Sequence, residues 1–418
     1  MRLAFLLFLL LTPHALAQEI TLWTWALKPA YNDYIQNIAR DFEAQNPGVT
    51  VIWVDVPGDA IERKLFAAAA AGRMPDVINL PDKAFVRFAQ LGAMRDLTGL
   101  LPGDPHQQFV PGALAGATFD HKLMGLPWYL SNEIAVINKP LLESGGLTVD
   151  TVGKDFATLR SQAVAFHKKT GKFLFMMRLG EIDLLAQIIA EDLKPIVPAS
   201  AGGYESNLTR DPRIAKLMSE WVGLFRQGAL PRESATGAYP DMVAAFKEGR
   251  VALVNANMVR VIKKDTPQLF EQLAIAPPIV GARDTPSLSS VMLGVSSTSK
   301  HPQLAAKLAW HVLLPAYQEE LAVRASRLPS TIASQSVMAS GATGDDALAR
   351  ATRVSIDALP RSTSFVQPTG TWPDLEKVFS EGMKRALLGG SDIDAALLDI
   401  ETQWNVILRA DAAGLPYK

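Results

Sequence analysis

The feature that most constrains the fold is a regular alternation of strand and helix patterns over residues 19–80. Residues 19–25 alternate polar and bulky side chains, as half-buried strands do. A helical apolar spacing over 31–42, a strand-like run over 49–54, an alanine-rich helix over 60–71 and an apolar run over 77–80 follow. This βαβαβ order predicts an α/β fold with a parallel sheet covered on both faces. Its binding crevice is expected at the carboxyl ends of the strands.

Three side chains with binding chemistry lie just after the ends of these predicted strands. They are Trp25, Asn79 and Asp82. An indole ring, an amide and a carboxylate at the carboxyl edge of a parallel sheet can contact a ligand directly. We therefore expect all three residues to face the crevice.

The middle of the chain departs from this alternation. Two extended segments, 120–126 and 131–138, bracket Pro127, Trp128 and Tyr129, which predicts a crossover between domains at these three residues. Helical patterns dominate from 155 to 225, a further strand and helix pair follows near 251, and a proline-rich linker precedes residue 291. A chain of 418 residues exceeds the usual size of one hydrophobic core, so two domains are expected.

The first seventeen residues have the pattern of a secretory signal peptide. Arg2 precedes an apolar stretch from Leu3 to Leu11, and Ala15-Leu16-Ala17 offers the small-x-small pattern of a cleavage site. We expect cleavage near Ala17/Gln18 and a periplasmic or extracellular product. Because the chain contains no cysteine, neither disulfides nor lipidation at the cleavage point are available, and no membrane anchor is expected.

Composition narrows the classes of partner. The chain is 48% hydrophobic and 20% charged, as ordinary globular proteins are, and its formal net charge is −1. Near-neutral charge gives no electrostatic basis for binding nucleic acid or an anionic membrane. Neither partner class is expected.

A search for catalytic motifs finds no convincing constellation. The histidines are isolated, without the spacing of metal ligands. Ser297 to Lys300 fits an S-x-x-K pattern and Lys169 to Gly171 fits K-T-G, but their order is the reverse of that in the serine acyltransferases that use both motifs. We therefore predict no catalytic residue, no metal site and no cofactor.

Several aromatic residues lie outside any regular period. Trp25, Trp128, Tyr129 and Trp372 occupy predicted turns or strand ends, and Trp372 lies within Pro-Thr-Gly-Thr-Trp-Pro. The apolar face of a sugar ring packs on aromatic side chains, while its hydroxyl groups need amide, carboxylate and backbone partners. These positions favour a carbohydrate ligand.

The order of motifs along the chain resembles the extracellular solute-binding proteins of family 1, the maltose-binding-protein-like sugar-binding subunits of bacterial ABC importers. The resemblance covers nearly all of the chain after residue 17. Its motifs are Asp41–Val49, Ala70–Val77, Gly125–Tyr129, Val136–Lys139, Phe246–Leu253, Gly294–Ser296, Ser299–Pro302 and Leu328–Pro329.

This resemblance implies a two-lobed periplasmic binding protein fold, each lobe a central β-sheet flanked by helices. The lobes would comprise residues 18–128 plus 285–333 and residues 129–284 plus 334–418. A sugar would bind in the cleft between them, and hinge closure would present it to the permease of an ABC transporter. We expect the protein to act as a monomer.

The resemblance also assigns Asn257 and Trp372 to the cleft from the second lobe. Members of the family often place a tryptophan two residues after the position of Asn257, where this chain has Val259. Trp372 is therefore the expected substitute for that aromatic platform.

Two alternatives remain open. A secreted glycan hydrolase would need two suitably spaced carboxylates, for which Asp82 with Glu133 or Glu181 with Asp183 could serve. A binding protein for a non-sugar solute, such as a polyamine, glycerol-phosphate or a peptide, would share the fold. A polyamine would favour an acidic cleft and a phosphate a basic one, and the near-neutral net charge does not decide between them.

Overall fold

The computed structural model describes residues 18–58, 60–119, 121–325 and 327–413, so the predicted signal peptide lies outside the described residues. The strands are β1 Gln18–Trp25, β2 Val49–Val56, β3 Val77–Pro81, β4 Thr118–Phe119, β5 Lys122–Leu123, β6 Gly125–Asn132, β7 Ala135–Asn138, β8 Phe173–Phe175, β9 Ile196–Pro198, β10 Tyr204–Ser206, β11 Val251–Asn255, β12 Leu273–Ala276, β13 Leu288–Val295 and β14 Leu328–Pro329.

The helices alternate with these strands in the first part of the chain and dominate its end. They are α1 Asn32–Gln45, α2 Ile61–Ala70, α3 Asp82–Gln90, α4 Pro105–Gln108, α5 Pro111–Ala115, α6 Lys139–Ser144, α7 Phe156–Thr170, α8 Asp183–Ala190, α9 Pro212–Arg226, α10 Tyr239–Lys247, α11 Val259–Asp265, α12 Pro267–Phe270, α13 Pro302–Val312, α14 Pro315–Ala325, α15 Ile332–Gly341, α16 Ala347–Ala358, α17 Trp372–Leu387 and α18 Ile393–Ala412.

The larger sheet has six strands in the order β14-β6-β13-β3-β1-β2. The predicted parallel pairing is confirmed, because β1 pairs in parallel with both β2 and β3. Strand β13 runs antiparallel between β3 and β6, so the complete sheet is mixed. Alternate residues of β1 are buried, as the period-2 pattern predicts.

The smaller sheet has four strands in the order β12-β7-β11-β8. Its central strand β7 alternates between two apolar clusters: Ala135 and Ile137 pack with helices α7, α9, α17 and α18, whereas Ile134 and Val136 pack with α10 and α11. A separate cluster covers the larger sheet. The two sheets therefore have their own cores, as expected for two lobes.

The chain crosses between the sheets later than the sequence predicts. Residues 125–132 all belong to β6 of the larger sheet, and β7 of the smaller sheet begins at Ala135, so the crossover lies at Glu133 and Ile134. The pairing of β6 with β13 shifts register at Trp128, where an extra residue forms a bulge after Pro127. A bulge lets a strand accommodate proline, which explains why a local sequence break is not a domain boundary.

Two further connections link the sheets, between β12 and β13 and after β14. A small apolar cluster lies at these crossings and includes Leu130, Leu288, Leu328 and Leu359. Within the described residues, none of the helices is long and apolar enough to cross a membrane.

Candidate functional site

The carboxyl ends of strands from both sheets lie near one crossover residue. In the larger sheet β3 ends at Pro81 and β6 ends at Asn132, and in the smaller sheet β8 ends at Phe175 and β11 at Asn255. Glu133 immediately follows β6 and precedes β7, so it belongs to the segment that joins the two sheets. In open α/β sheets this edge is where ligands bind.

Two cavities lie at this meeting point, with volumes of about 380 Å³ and about 280 Å³. The 380 Å³ cavity, here named the outer cavity, lies between Asn132 and Asn257. The 280 Å³ cavity, here named the inner cavity, extends towards Ser289. Both are lined by Glu133 and Arg178, so these two residues separate two compartments of one cleft. The volumes lie at the lower end of small-molecule sites.

Glu133 is a carboxyl group held between the two sheets. Its Oε2 accepts a hydrogen bond of 2.7 Å from Nδ2 of Asn255, which in turn pairs with the backbone of Ile279. Burial raises the pKa of Glu133 to about 8, and the negative charge of Asp183 raises it further while Arg178 opposes the shift. At neutral pH the group is therefore largely protonated and can donate a hydrogen bond.

Arg178 follows strand β8 and is clamped by two acids. Its backbone N–H and Nη2 lie 2.7 Å and 2.9 Å from the two carboxylate oxygens of Asp183, and Nη1 lies 3.4 Å from Glu181. These bonds fix the plane of the guanidinium group. Its buried Nε has no hydrogen-bond partner among the described residues, and a ligand oxygen would supply one.

Asn257 lies in the loop between β11 and α11, and its contact with a ligand stays a prediction. Its side chain is exposed and lines the outer cavity, and its Nδ2 is 3.4 Å from the hydroxyl of Ser355. Tyr239 at the start of α10 lines the same cavity. Burial raises the pKa of Tyr239, against the charges of Arg178 and Arg327. An amide and a phenol therefore face one space.

Trp25 and Tyr129 are both partly exposed at the edge of the larger sheet. The indole of Trp25 lies against Gly58, where a Cβ atom would be 2.9 Å from the indole Nε1, so this contact needs glycine. Burial raises the pKa of Tyr129 to about 12, with Arg327 opposing the shift. Neither residue lines the two cavities described above, so their contact with a ligand stays a prediction.

Asn79 and Asp82 are buried, which corrects the expectation that their side chains face a ligand. Asn79 has no exposed surface, and its Oδ1 accepts a 2.6 Å hydrogen bond from the backbone N–H of Trp25. Asp82 is 8% exposed and accepts from the backbone N–H groups of Lys83 and Ser290. Burial raises the pKa of Asp82. Both residues hold backbone near the cleft.

The structure also corrects the placement of Trp128 and Trp372. Trp128 has no exposed surface and belongs to the core of the larger sheet. Trp372 is 2% exposed, because helix α17 begins at this residue and directs its indole against Trp404, with ring centroids 6.2 Å apart. In this conformation neither indole offers a face to a ligand.

Several cleft residues have no sequence pattern that points to ligand binding. Arg178, Tyr239 and Arg327 line the outer cavity, as does Glu133, which the sequence suggests only as half of a catalytic pair. The one available signal for Arg178 was its position just after a short apolar strand. Tyr239 and Arg327 gave no distinguishing local pattern.

The carboxylates that were candidates for hydrolysis are already engaged. Glu181 and Asp183 both pair with Arg178, and Asp82 accepts backbone hydrogen bonds. No group of three or more metal-ligating acids and histidines occurs within 18–58, 60–119, 121–325 and 327–413.

The comparisons with known proteins agree with this architecture. A binding protein of Brucella abortus strain 2308 is 24% identical over 97% of both chains. The diacetylchitobiose-binding protein DasA of Streptomyces coelicolor is 22% identical over 78% of this chain and 77% of its own.

Solved structures give the same result for the fold. An oligosaccharide periplasmic-binding protein of Synechococcus sp. MITs9220 superposes with a TM-score of 0.82 at 25% identity, covering 94% of this chain and all of the other. The sugar-binding protein MalE of Xanthomonas citri superposes with a TM-score of 0.78 at 22% identity, covering 94% and 98%. The family model for bacterial extracellular solute-binding proteins matches residues 27–319. The chain belongs to this family of bacterial extracellular solute-binding proteins.

Proposed function

We propose that this protein binds a sugar, from a monosaccharide to an oligosaccharide, in the cleft between its two sheets and delivers it to an ABC import permease. The observation that carries this proposal is the pair of cavities that share Glu133 and Arg178 in their linings. A protonated carboxyl, a clamped guanidinium, an amide and a phenol there supply donors and acceptors for hydroxyl groups. The relatives that bind diacetylchitobiose and oligosaccharides support the choice of solute class.

The proposed lobes are residues 18–132 with 288–329, and residues 135–276 with the C-terminal helices. Closure would bring Asn132 and Asn257 onto opposite sides of one ligand, because both residues line the outer cavity. A ligand that contacts both lobes favours the closed state by its extra contacts there. Trp25 and Tyr129 would contact the solute from the first lobe.

We further propose that the protein is exported by cleavage after Ala17 and acts as a diffusing monomer without a membrane anchor. The signal-like pattern of residues 1–17 and the absence of cysteine support this proposal. The membership in an extracellular family is consistent with it.

The test is a panel of mono- and oligosaccharides, read by thermal shift and by chromatography of the recovered sugar. Binding predicts a melting temperature that rises with the sugar concentration and recovery of intact sugar. Released hydrolysis products would instead support the hydrolase, and a response only to polyamines or peptides would overturn the choice of sugar.

A further inference from the structure

The charged side chains that line the outer cavity indicate the chemical class of the solute. Three arginines, Arg178, Arg260 and Arg327, line this cavity, and Glu133 is its one acidic lining residue within the described chain. They come from different parts of the fold: Arg178 follows β8, Arg260 lies on α11, and Arg327 precedes β14. The positive groups therefore surround the space instead of following one helix face.

Two of these arginines have no ion-pair partner within the described part of the chain. Arg260 and Arg327 are exposed, and neither forms an ion pair or a side-chain hydrogen bond with any residue that the structure describes. Other arginines show the contrast: Arg324, three residues before Arg327, pairs with both Asp33 and Glu320. Two unpaired guanidinium groups at the rim of a polar cavity favour an anionic ligand.

The remaining charged groups do not cancel this excess. Arg178 is balanced by Asp183 and Glu181. Glu133 is largely neutral at pH 7, since burial and Asp183 raise its pKa to about 8. A second groove adjoins the outer cavity at Arg260, and two acids line it. One is Glu319, and the other, Asp346, is paired with Lys263.

We propose that the solute is an acidic sugar, a uronate whose carboxylate is held between Arg260 and Arg327 while its hydroxyl groups bind Glu133, Asn257 and Tyr239. This inference rests on the proposed function and specifies its substrate class. Planar guanidinium groups match carboxylate geometry with paired N–H donors. The same charges disfavour a polyamine.

The closing experiment uses the full mature chain and isothermal titration calorimetry at low salt. The probes are galacturonate, glucuronate and mannuronate with their disaccharides, the neutral methyl ester of each, the corresponding neutral sugars, and galactose 6-phosphate. We expect at least one acid to bind ten-fold or more tightly than its methyl ester, and the difference to shrink as NaCl is added. Arg327→Gln should weaken binding of the acid about ten-fold and binding of the ester by a clearly smaller factor, because the ester carries no charge for the guanidinium to balance.

Arg324→Gln is the matched control, because this residue lies on the same segment but does not line the cavity. It should leave both affinities unchanged. Equal binding of acid and ester, or binding of neutral sugars alone, would overturn the acidic-sugar inference while the proposed function stands. Tighter binding of galactose 6-phosphate than of any uronate would assign the site to phosphate and overturn the choice of carboxylate. Binding of no sugar in the panel would overturn the proposed function as well.

Discussion

Nη2 of Arg87 lies 2.7 Å from Oδ2 of Asp374, and this ion pair joins a helix of the larger-sheet core to a helix of the smaller-sheet core. Nε of the same arginine donates to the carbonyl of Gly370 at 3.0 Å. Nearby, Nζ of Lys83 is 2.6 Å from Glu376. Helices α3 and α17 are therefore held together across the boundary between the proposed lobes.

These contacts predict that Asp374→Asn weakens closure. A partly exposed ion pair contributes about 0.5–1 kcal/mol, so we expect two- to five-fold weaker sugar binding and a larger radius of gyration without sugar. Titration calorimetry and small-angle X-ray scattering measure both effects. Asp399→Asn is the control, since Asp399 on α18 pairs with Arg385 on α17 at the surface, and both helices pack on the smaller sheet. Equal effects of the two substitutions would contradict a role in closure.

Glu133 predicts a pH dependence of stability. Its folded pKa is about 8 against an ordinary value of 4.5, so below pH 4.5 both folded and unfolded states are protonated. As pH rises from 4.5 to about 8, the unfolded state loses its proton first and the free energy of unfolding falls. Glu133→Gln should remove this fall and be more stable than wild type at pH 8 by roughly 2–4 kcal/mol. Urea unfolding at pH 4.5 and pH 8 checks this, and parallel pH profiles for both proteins would refute it.

The same group predicts a pH dependence of binding for an acidic sugar. Above pH 8 Glu133 becomes negative beside Asp183, with Arg178 as the nearest opposing charge, and this repels an anionic ligand. We expect the affinity for the acid to fall between pH 7 and pH 9 in wild type and to stay nearly constant in Glu133→Gln. Calorimetry at the two pH values measures this. An affinity for the acid that rises with pH, or that falls equally in Glu133→Gln, would contradict this role of Glu133.

Because Trp372 is buried, we expect its truncation to reduce stability and not to remove a contact with the ligand. Truncation of a buried indole typically costs about 3–5 kcal/mol, so Trp372→Ala should lower the melting temperature strongly. Trp372→Phe should lose less, because a ring remains to pack against Trp404. If Trp372→Ala kept its stability but lost binding, the indole would be a ligand contact after all.

Features of the fold that depend on residues close in sequence are predictable from the sequence, and features that depend on distant residues are not. The first strands and helices were predictable because periodic burial is local: Tyr34, Ile35, Ile38 and Phe42 form one buried face of α1. The parallel pairing of β1 with β3 followed from the same alternation. The crossover was misplaced because the bulge at Trp128 depends on pairing with β13, which lies more than 150 residues later.

The candidate site was less predictable for the same reason. Asn257 could be located from a motif, whereas the cleft around it is completed by Arg178, Tyr239 and Arg327, which only the tertiary fold brings together. An indole in a turn-rich segment predicted exposure for Trp372. Pro373 instead lies in the first turn of helix α17, where proline is favourable, and the indole of Trp372 becomes part of a core.

The central claim is that the outer cavity holds the solute. The most direct test titrates the best sugar of the panel into wild type and into a double variant that carries Asn257→Ala and Tyr239→Ala. Wild type should bind one sugar per chain, and the double variant should bind at least ten-fold more weakly with a similar melting temperature in the absence of sugar. An unchanged affinity in the folded double variant would contradict the account.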